Sequence, residues 1–221
     1  MQRRLFLGGT ALALIAGGAY FYNNQSQTTG PSLGSVSAQE ASNIDTSGIV
    51  EMAMGDENAP ITMIEYASFT CPHCANFHKN TFPQLKADYI DTGKVRFIYR
   101  EVYFDRFGLW AGMLARCGGE MRYFGISDML YHRQREWLEG GEPETIVNNL
   151  RTIGRAAGMS DDQMNACLND GDTAQAMVAL YQKNAAADDI NSTPSFVIDG
   201  TKYNNMGYDE FRAILDEKLA G

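Results

Sequence analysis

"ITMIEYASFTCPHCANFH", residues 61–78, changes character in its middle. Residues 61–69 are a β-rich apolar run with little polar interruption, as expected of a strand buried on both faces. Cys71 follows at once, and Pro72 suits a first helical turn, where no backbone donor is needed. "CPHCANFHKNTFPQLKADYIDTG" (71–93) reads as a helix with Phe77, Leu85 and Tyr89 apolar and Gly93 as its stop. Pro83 is expected to kink or split that helix. "KVRFIYREV" (94–102) is a second β-rich run, so the order is strand, helix, strand, as in a parallel βαβ unit with Cys71 at the first junction.

Outward from this unit, residues 105–188 turn helical. "LWAGMLARC", "DMLYHRQREWL", "PETIVNNLRTIGRAAG", "SDDQMNACL" and "TAQAMVALYQKNAAA" each space apolar residues three and four apart. Pro143 sits where a helix should start, and Ser160 with Gln163 has the form of a capping box. The strand signal returns in "PSFVIDG" (194–200), with "TKYNN" able to pair with it. "YDEFRAILDEKL" (208–219) is an amphipathic helix carrying Phe211, Ile214, Leu215 and Leu219 on one side. A βαβ half and a ββα half around a helical block predict an α/β chain: a thioredoxin-like domain over 48–104 and 189–221, with an inserted all-helical domain over 105–188.

The first 22 residues differ from the rest. Arg3 and Arg4 precede an uncharged apolar stretch over residues 5–22, the layout of an export signal, and Arg-Arg-Leu-Phe-Leu resembles a twin-arginine motif. The stretch reads either as a cleaved signal peptide or as an anchor in the inner membrane; both take the bulk of the chain out of the cytoplasm. Residues 23–47, rich in Ser, Asn, Gln and Thr, read as a flexible linker. A net charge of −9 argues against nucleic acid, and a hydrophobic fraction of 44% is enough for a real core.

The cysteine pair carries the chemistry. A Cys at a helix N-terminus meets unpaired amide donors and the positive end of the helix dipole, and both stabilise the reactive thiolate. His73 can add a hydrogen bond or positive charge. Cys71 therefore reads as the exposed nucleophile and leaving group, and Cys74, one turn in, as the buried resolving thiol. Stabilising reduced Cys71 makes the disulfide a good oxidant. Three rivals are weaker. A structural disulfide over two residues is strained and easily reduced. Zinc would use Cys71, Cys74 and His78 in C-x2-C-x3-H spacing, but Cys117 and Cys167 supply no second close pair. Haem attachment wants His directly after the second Cys, where Ala75 stands. No cofactor or metal is expected. Cys117 and Cys167 lie in the helical block; in an oxidising compartment two spare cysteines pair, the alternative being buried free thiols. His78 and His132 read as ordinary surface or helix residues.

"EYASFTCPHC" (65–74) together with "STPSFVIDG" (192–200) resembles the DsbA family of bacterial disulfide oxidoreductases over roughly residues 48–221. The resemblance implies a thiol:disulfide oxidoreductase that passes its disulfide to reduced or unfolded exported proteins in the periplasm, is reoxidised by a membrane partner of the DsbB type, and works as a monomer. Cys71, Pro72, His73 and Cys74 match the family's active-site motif, and Pro194 matches a proline held cis and facing the dithiol. Thr193 departs from the Val that the resemblance suggests for the best-known enteric oxidase. A hydroxyl there can tune the potential, which leaves isomerase or reductase activity open beside oxidation. A chaperone-like peptide-binding module is the reading from a different class. Glu65 matches a buried acid that moves protons near the resolving Cys; the basic partner that some members place on the following strand is not matched, since Tyr99 falls there with Arg100 beside it. The resemblance also implies a second disulfide in the helical insertion, Cys117 to Cys167.

Overall fold

The structure, a computed structural model, describes residues 44–221. The stretch over 1–22, read as a signal peptide or anchor, and residues 23–43 of the linker read over 23–47 lie outside the described residues. Two apolar runs form the middle of a five-stranded sheet. Strand β2 (Ile61–Ala67) and strand β3 (Val95–Glu101) are parallel, with Ile61 opposite Val95 and Ala67 opposite Glu101. Both are covered on two faces, which is why neither shows polar alternation. With strands β1 (Met52–Met54), β4 (Ser195–Ile198) and β5 (Thr201–Asn204), the sheet order is β1-β3-β2-β4-β5. Strand β4 runs antiparallel to β2, and strand β5 pairs with β4. Asp199 and Gly200 join these two with φ of 46° and 80°, the positive values a tight two-residue hairpin turn needs. The turn is hooked to β2: Thr62 N donates to Asp199 Oδ1 at 2.9 Å, and Asp199 N donates to Thr62 O at 3.0 Å. The sequence reading missed strand β1 (Met52–Met54), which lies antiparallel to the free side of β3. Three residues are too few to show a period of two.

Between β2 and β3 the helix splits as Pro83 requires. Helix α1 (Pro72–Asn80) stops at Thr81, and helix α2 (Phe82–Leu85) continues through a π-helical turn over Lys86–Ile90. Pro83 has no N–H to give to the preceding turn. After β3 come helix α3 (Arg106–Cys117), helix α4 (Glu120–His132), helix α5 (Gln134–Trp137), helix α6 (Pro143–Ala156), helix α7 (Asp161–Leu168) and helix α8 (Gly171–Ala187). The single helical stretch read over 128–138 is broken at Arg133, the shared boundary of α4 and α5. Only half of the expected capping box forms. Ser160 Oγ accepts from Gln163 N at 3.2 Å, but the Gln163 side chain donates to Cys117 O at 3.0 Å instead of turning back. Cys117, ending α3, and Cys167, in α7, are joined in a disulfide across 50 residues, with Cα atoms 5.8 Å apart. In the chain-entropy picture a closed loop of that length stabilises the fold by about 4 kcal/mol.

The last helix, α9 (Tyr208–Leu219), lays Phe211 and Leu215 into the core. Phe196 of β4 packs against Phe211 and against Phe77 of α1, with ring centroids 4.7 and 4.9 Å apart. This aromatic cluster fixes α1 and β4 side by side, and the two segments that flank the cysteines begin from them. Among the described residues, no helix is long and apolar enough to cross a membrane.

Candidate active site

Cys71 is the N-cap residue of α1. Its backbone is extended (φ −79°, ψ 121°), Pro72 opens the helix, and no side chain caps the free amides. That leaves the first-turn N–H groups for the sulfur. The Cys71 thiol is pulled down to about 5. Hydrogen bonding from the Cys74 thiol is the largest cause; burial opposes it, and the Thr193 side chain and the backbone N–H groups of Cys74 and His73 add to it. Cys71 Sγ also lies 3.5 Å from Thr193 O, and the Thr193–Pro194 bond is cis. The cysteine is less open than the sequence reading expected: it is 8% exposed, because the Thr193 backbone lies against it. His73 contributes its backbone N–H, while its side chain stands on an exposed residue.

Cys74 is fully buried, and its thiol is pushed far up. Burial is the largest cause, followed by the bond it gives to Cys71 and the nearby charge of Glu65. The two sulfurs, three positions apart on one helix, are thus driven in opposite directions. Glu65, in the middle of β2, is fully buried as well, so it is no edge residue. Arg100 does not serve it; that guanidinium pairs with Glu51 and Asp188. Tyr99 turns its hydroxyl to Tyr131. The partner of Glu65 is His78: Nε2 lies 2.9 and 3.1 Å from the two carboxylate oxygens. His78 is 7% exposed, which corrects its reading as an ordinary surface residue, whereas His132 is the exposed helical residue expected. The signal was present in the spacing. His78 follows Cys74 by four, so a helix that buries one buries the other.

Residues 47–217 match the family model described as Thioredoxin. The chain belongs to the thioredoxin family. Within that family its likeness is to the DsbA proteins. The crystal structure of Wolbachia pipientis alpha-DsbA1 superposes with a TM-score of 0.71 and 29% identity, covering 78% of this chain and 92% of that one. A Rickettsia bellii protein that carries a protein-disulfide oxidoreductase name is 30% identical over 76% of this chain. The match spans 64% of that relative, somewhat under two thirds of its length. Disulfide bond formation protein D of Bacillus subtilis is 24% identical, with 76% of this chain and 77% of that protein covered.

In this thioredoxin-family site the helical block holds the loop before Cys71. Gln134 of α5 is buried, and its Nε2 donates to Phe69 O at 2.8 Å and to Cys71 O at 2.9 Å. Thr70 Oγ1 donates to Asp105 Oδ2 at 2.8 Å, while Oδ1 of the same carboxylate caps α3 through Phe107 N and Gly108 N. The sequence reading named neither Gln134 nor Asp105. A Gln among the polar residues of a short helix carries no motif; Asp105 does have the form of an N-cap.

Thr193→Val is expected to raise the Cys71 pKa and to lower the reduction potential. A side-chain hydrogen bond to a thiolate is charge-assisted, on the order of 1.5–3 kcal/mol, which for a two-electron couple is roughly 30–60 mV. Equilibration of both forms with glutathione measures it. No shift, or an upward shift, would show that the hydroxyl does not stabilise the thiolate.

Proposed function

We propose that this chain is a thiol:disulfide oxidoreductase that donates the Cys71–Cys74 disulfide to reduced exported proteins and so supports oxidative folding in the bacterial periplasm. One observation carries the reading: Cys71 caps α1 beside the cis Thr193–Pro194 segment while Cys74, one turn in, is fully buried, an arrangement that drives the first thiol down and the second up. A client thiolate attacks Cys71 Sγ, the Cys71–Cys74 bond breaks, and Cys74 departs with the electron pair and takes a proton. A second client thiolate then attacks the client sulfur of the mixed disulfide and expels Cys71 as a thiolate. The client loses two electrons and the chain gains them. A sulfur with a thiol pulled down to about 5 is a good leaving group, so the transfer runs toward the client.

The remaining groups take supporting roles. Pro72 opens the helix without a donor, and His73 supplies a backbone N–H. The Thr193 backbone beside the sulfur, followed by Pro194, offers pairing to an extended client segment. Glu65 exchanges the proton of Cys74. A membrane reoxidase of the DsbB type restores the disulfide. The leader in the sequence and the Cys117–Cys167 disulfide both suit an oxidising compartment outside the cytoplasm.

Oxidative refolding of a reduced multi-disulfide protein tests this, with the full chain substoichiometric and oxidised glutathione as terminal oxidant. Multiple turnovers are expected, and none with Cys71→Ala. Retained refolding by Cys71→Ala would mark a peptide-holding protein. Catalysis confined to scrambled disulfides would mark an isomerase.

A further inference from the structure

The half-reactions of this dithiol move a proton on and off Cys74, a site shut off from water. When a client thiolate opens the disulfide, the Cys74 sulfur leaves with the electron pair and needs a proton. On reoxidation the Cys74 S–H bond breaks, the proton departs, and the thiolate attacks Cys71 in the mixed disulfide, expelling the oxidant's sulfur. Cys74 and Glu65 are both fully buried, so bulk water cannot trade that proton directly. A change of net charge in such a place is costly.

His78 is placed to keep the proton inside the site, as a second base behind Glu65. Its Nε2 faces both Glu65 oxygens at 2.9 and 3.1 Å. Its ring lies flat on Tyr131, centroids 4.1 Å apart and planes 10° apart, with Phe82 at 4.9 Å and Tyr99 at 5.9 Å. A ring so enclosed keeps its aim. The other titratable groups facing it are Tyr99 from β3 and Tyr131 from α4, whose hydroxyls bond each other and whose phenols burial pushes well above their ordinary range. They stay neutral. Cys74 comes from the helix of His78 itself, one turn earlier.

We propose that His78, acting through Glu65, stores the proton that Cys74 takes up and returns. This rests on Cys74 being the resolving thiol. With Cys74 as thiol, the pair is a carboxylate with a neutral imidazole donating Nε2–H. With the proton removed from Cys74, the pair is a carboxylate with an imidazolium. Thiol plus pair carries a net charge of minus one before the transfer and after it: a thiolate and an imidazolium appear together, and the cation offsets the new anion beside Glu65. His78 is a positioning residue here, since the group it bonds is the Glu65 carboxylate and not the sulfur. The carboxylate therefore does not have to remain a neutral acid while Cys74 is a thiolate.

The test uses the reduced full chain mixed with oxidised glutathione, quenched at intervals and weighed by mass spectrometry. The first step, glutathione on Cys71, is expected to run at the wild-type rate in His78→Gln. The second step, displacement of glutathione by Cys74, is expected to slow by about 10²-fold and to lose its pH dependence, as general acid–base groups of this kind typically contribute. Gln keeps an N–H for Glu65 but cannot become a cation. Glu65→Gln is expected to slow the same step, and the double variant to be no slower than the slower single one. A second step in His78→Gln with the wild-type rate and pH profile would overturn the proposal. Should His78→Gln fail to fold, nitrogen NMR of the His78 ring in the wild-type chain decides: the ring is expected to be cationic in the disulfide form and neutral in the dithiol form. The same protonation in both forms overturns the proposal. Failure of wild-type Cys74 to displace glutathione at all would instead overturn the resolving-thiol reading, and this one with it.

Discussion

Cys74→Ser is expected to accumulate mixed disulfides between Cys71 and its protein partners, while Cys71→Ser is expected to form none and to lose turnover down to the uncatalysed background. The asymmetry follows from where the sulfurs sit. Cys71 caps α1, faces the amides of Cys74 and His73, and is ionised well below neutrality. Cys74 is sealed in the core with its thiol pushed far up by burial. Only the first can attack or be attacked from outside. Once it has, an internal thiol is needed to release the adduct, and serine cannot do so. Non-reducing electrophoresis of both variants after incubation with oxidised and reduced client protein reads this directly. Adducts on Cys71→Ser, formed through Cys74, would invert the roles.

The second large effect links redox state, pH and stability. The Cys71 thiol lies at about 5 in the folded dithiol form and in the ordinary thiol range when unfolded. A group lowered by folding contributes its full stabilisation above the unfolded value and loses it as pH falls through the folded one. Between about pH 5 and 9 the contribution grows by about 1.4 kcal/mol per pH unit, giving roughly 2–3 kcal/mol at pH 7. Against it stands the unfolded-state constraint of the four-residue Cys71–Cys74 loop, about 2 kcal/mol in the same chain picture used for the other disulfide. The dithiol form is therefore expected to be narrowly the more stable at pH 7, by a few kcal/mol near pH 9, and the less stable at pH 5. Denaturant titration of both redox forms, with Cys117–Cys167 kept intact, measures the difference. A difference that does not move with pH would show that Cys71 is not ionised in the fold.

Much of this was legible in the residues, for stated reasons. The run 61–69, the Cys-Pro-His-Cys turn and the run 94–102 set β2, α1 and β3, because burial on both faces and a proline at the first turn leave marks in sequence. Pro83 marked the helix split, and Pro143 and Ser160 marked two helix starts. What was not legible depends on contacts distant in the chain. Strand β1 exists because β3 has a free edge beside it. Gln134 matters because α5 returns to the loop before Cys71, 63 residues away in sequence. His78 is hidden for a related reason: the family pattern points to the next strand for the basic partner of Glu65, whereas α1 itself supplies it.

The Cys74 thiol, with Thr193 and the first-turn amides of α1 adding to it, holds Cys71 as a thiolate. The most direct test is the rate of alkylation of the fully reduced chain as a function of pH, with the labelled cysteine located by mass spectrometry. The expected result is label on Cys71 alone, with a rate that rises through a midpoint near pH 5 and is flat by pH 7. A midpoint in the ordinary thiol range near 8.5, or first label on Cys74, would contradict it.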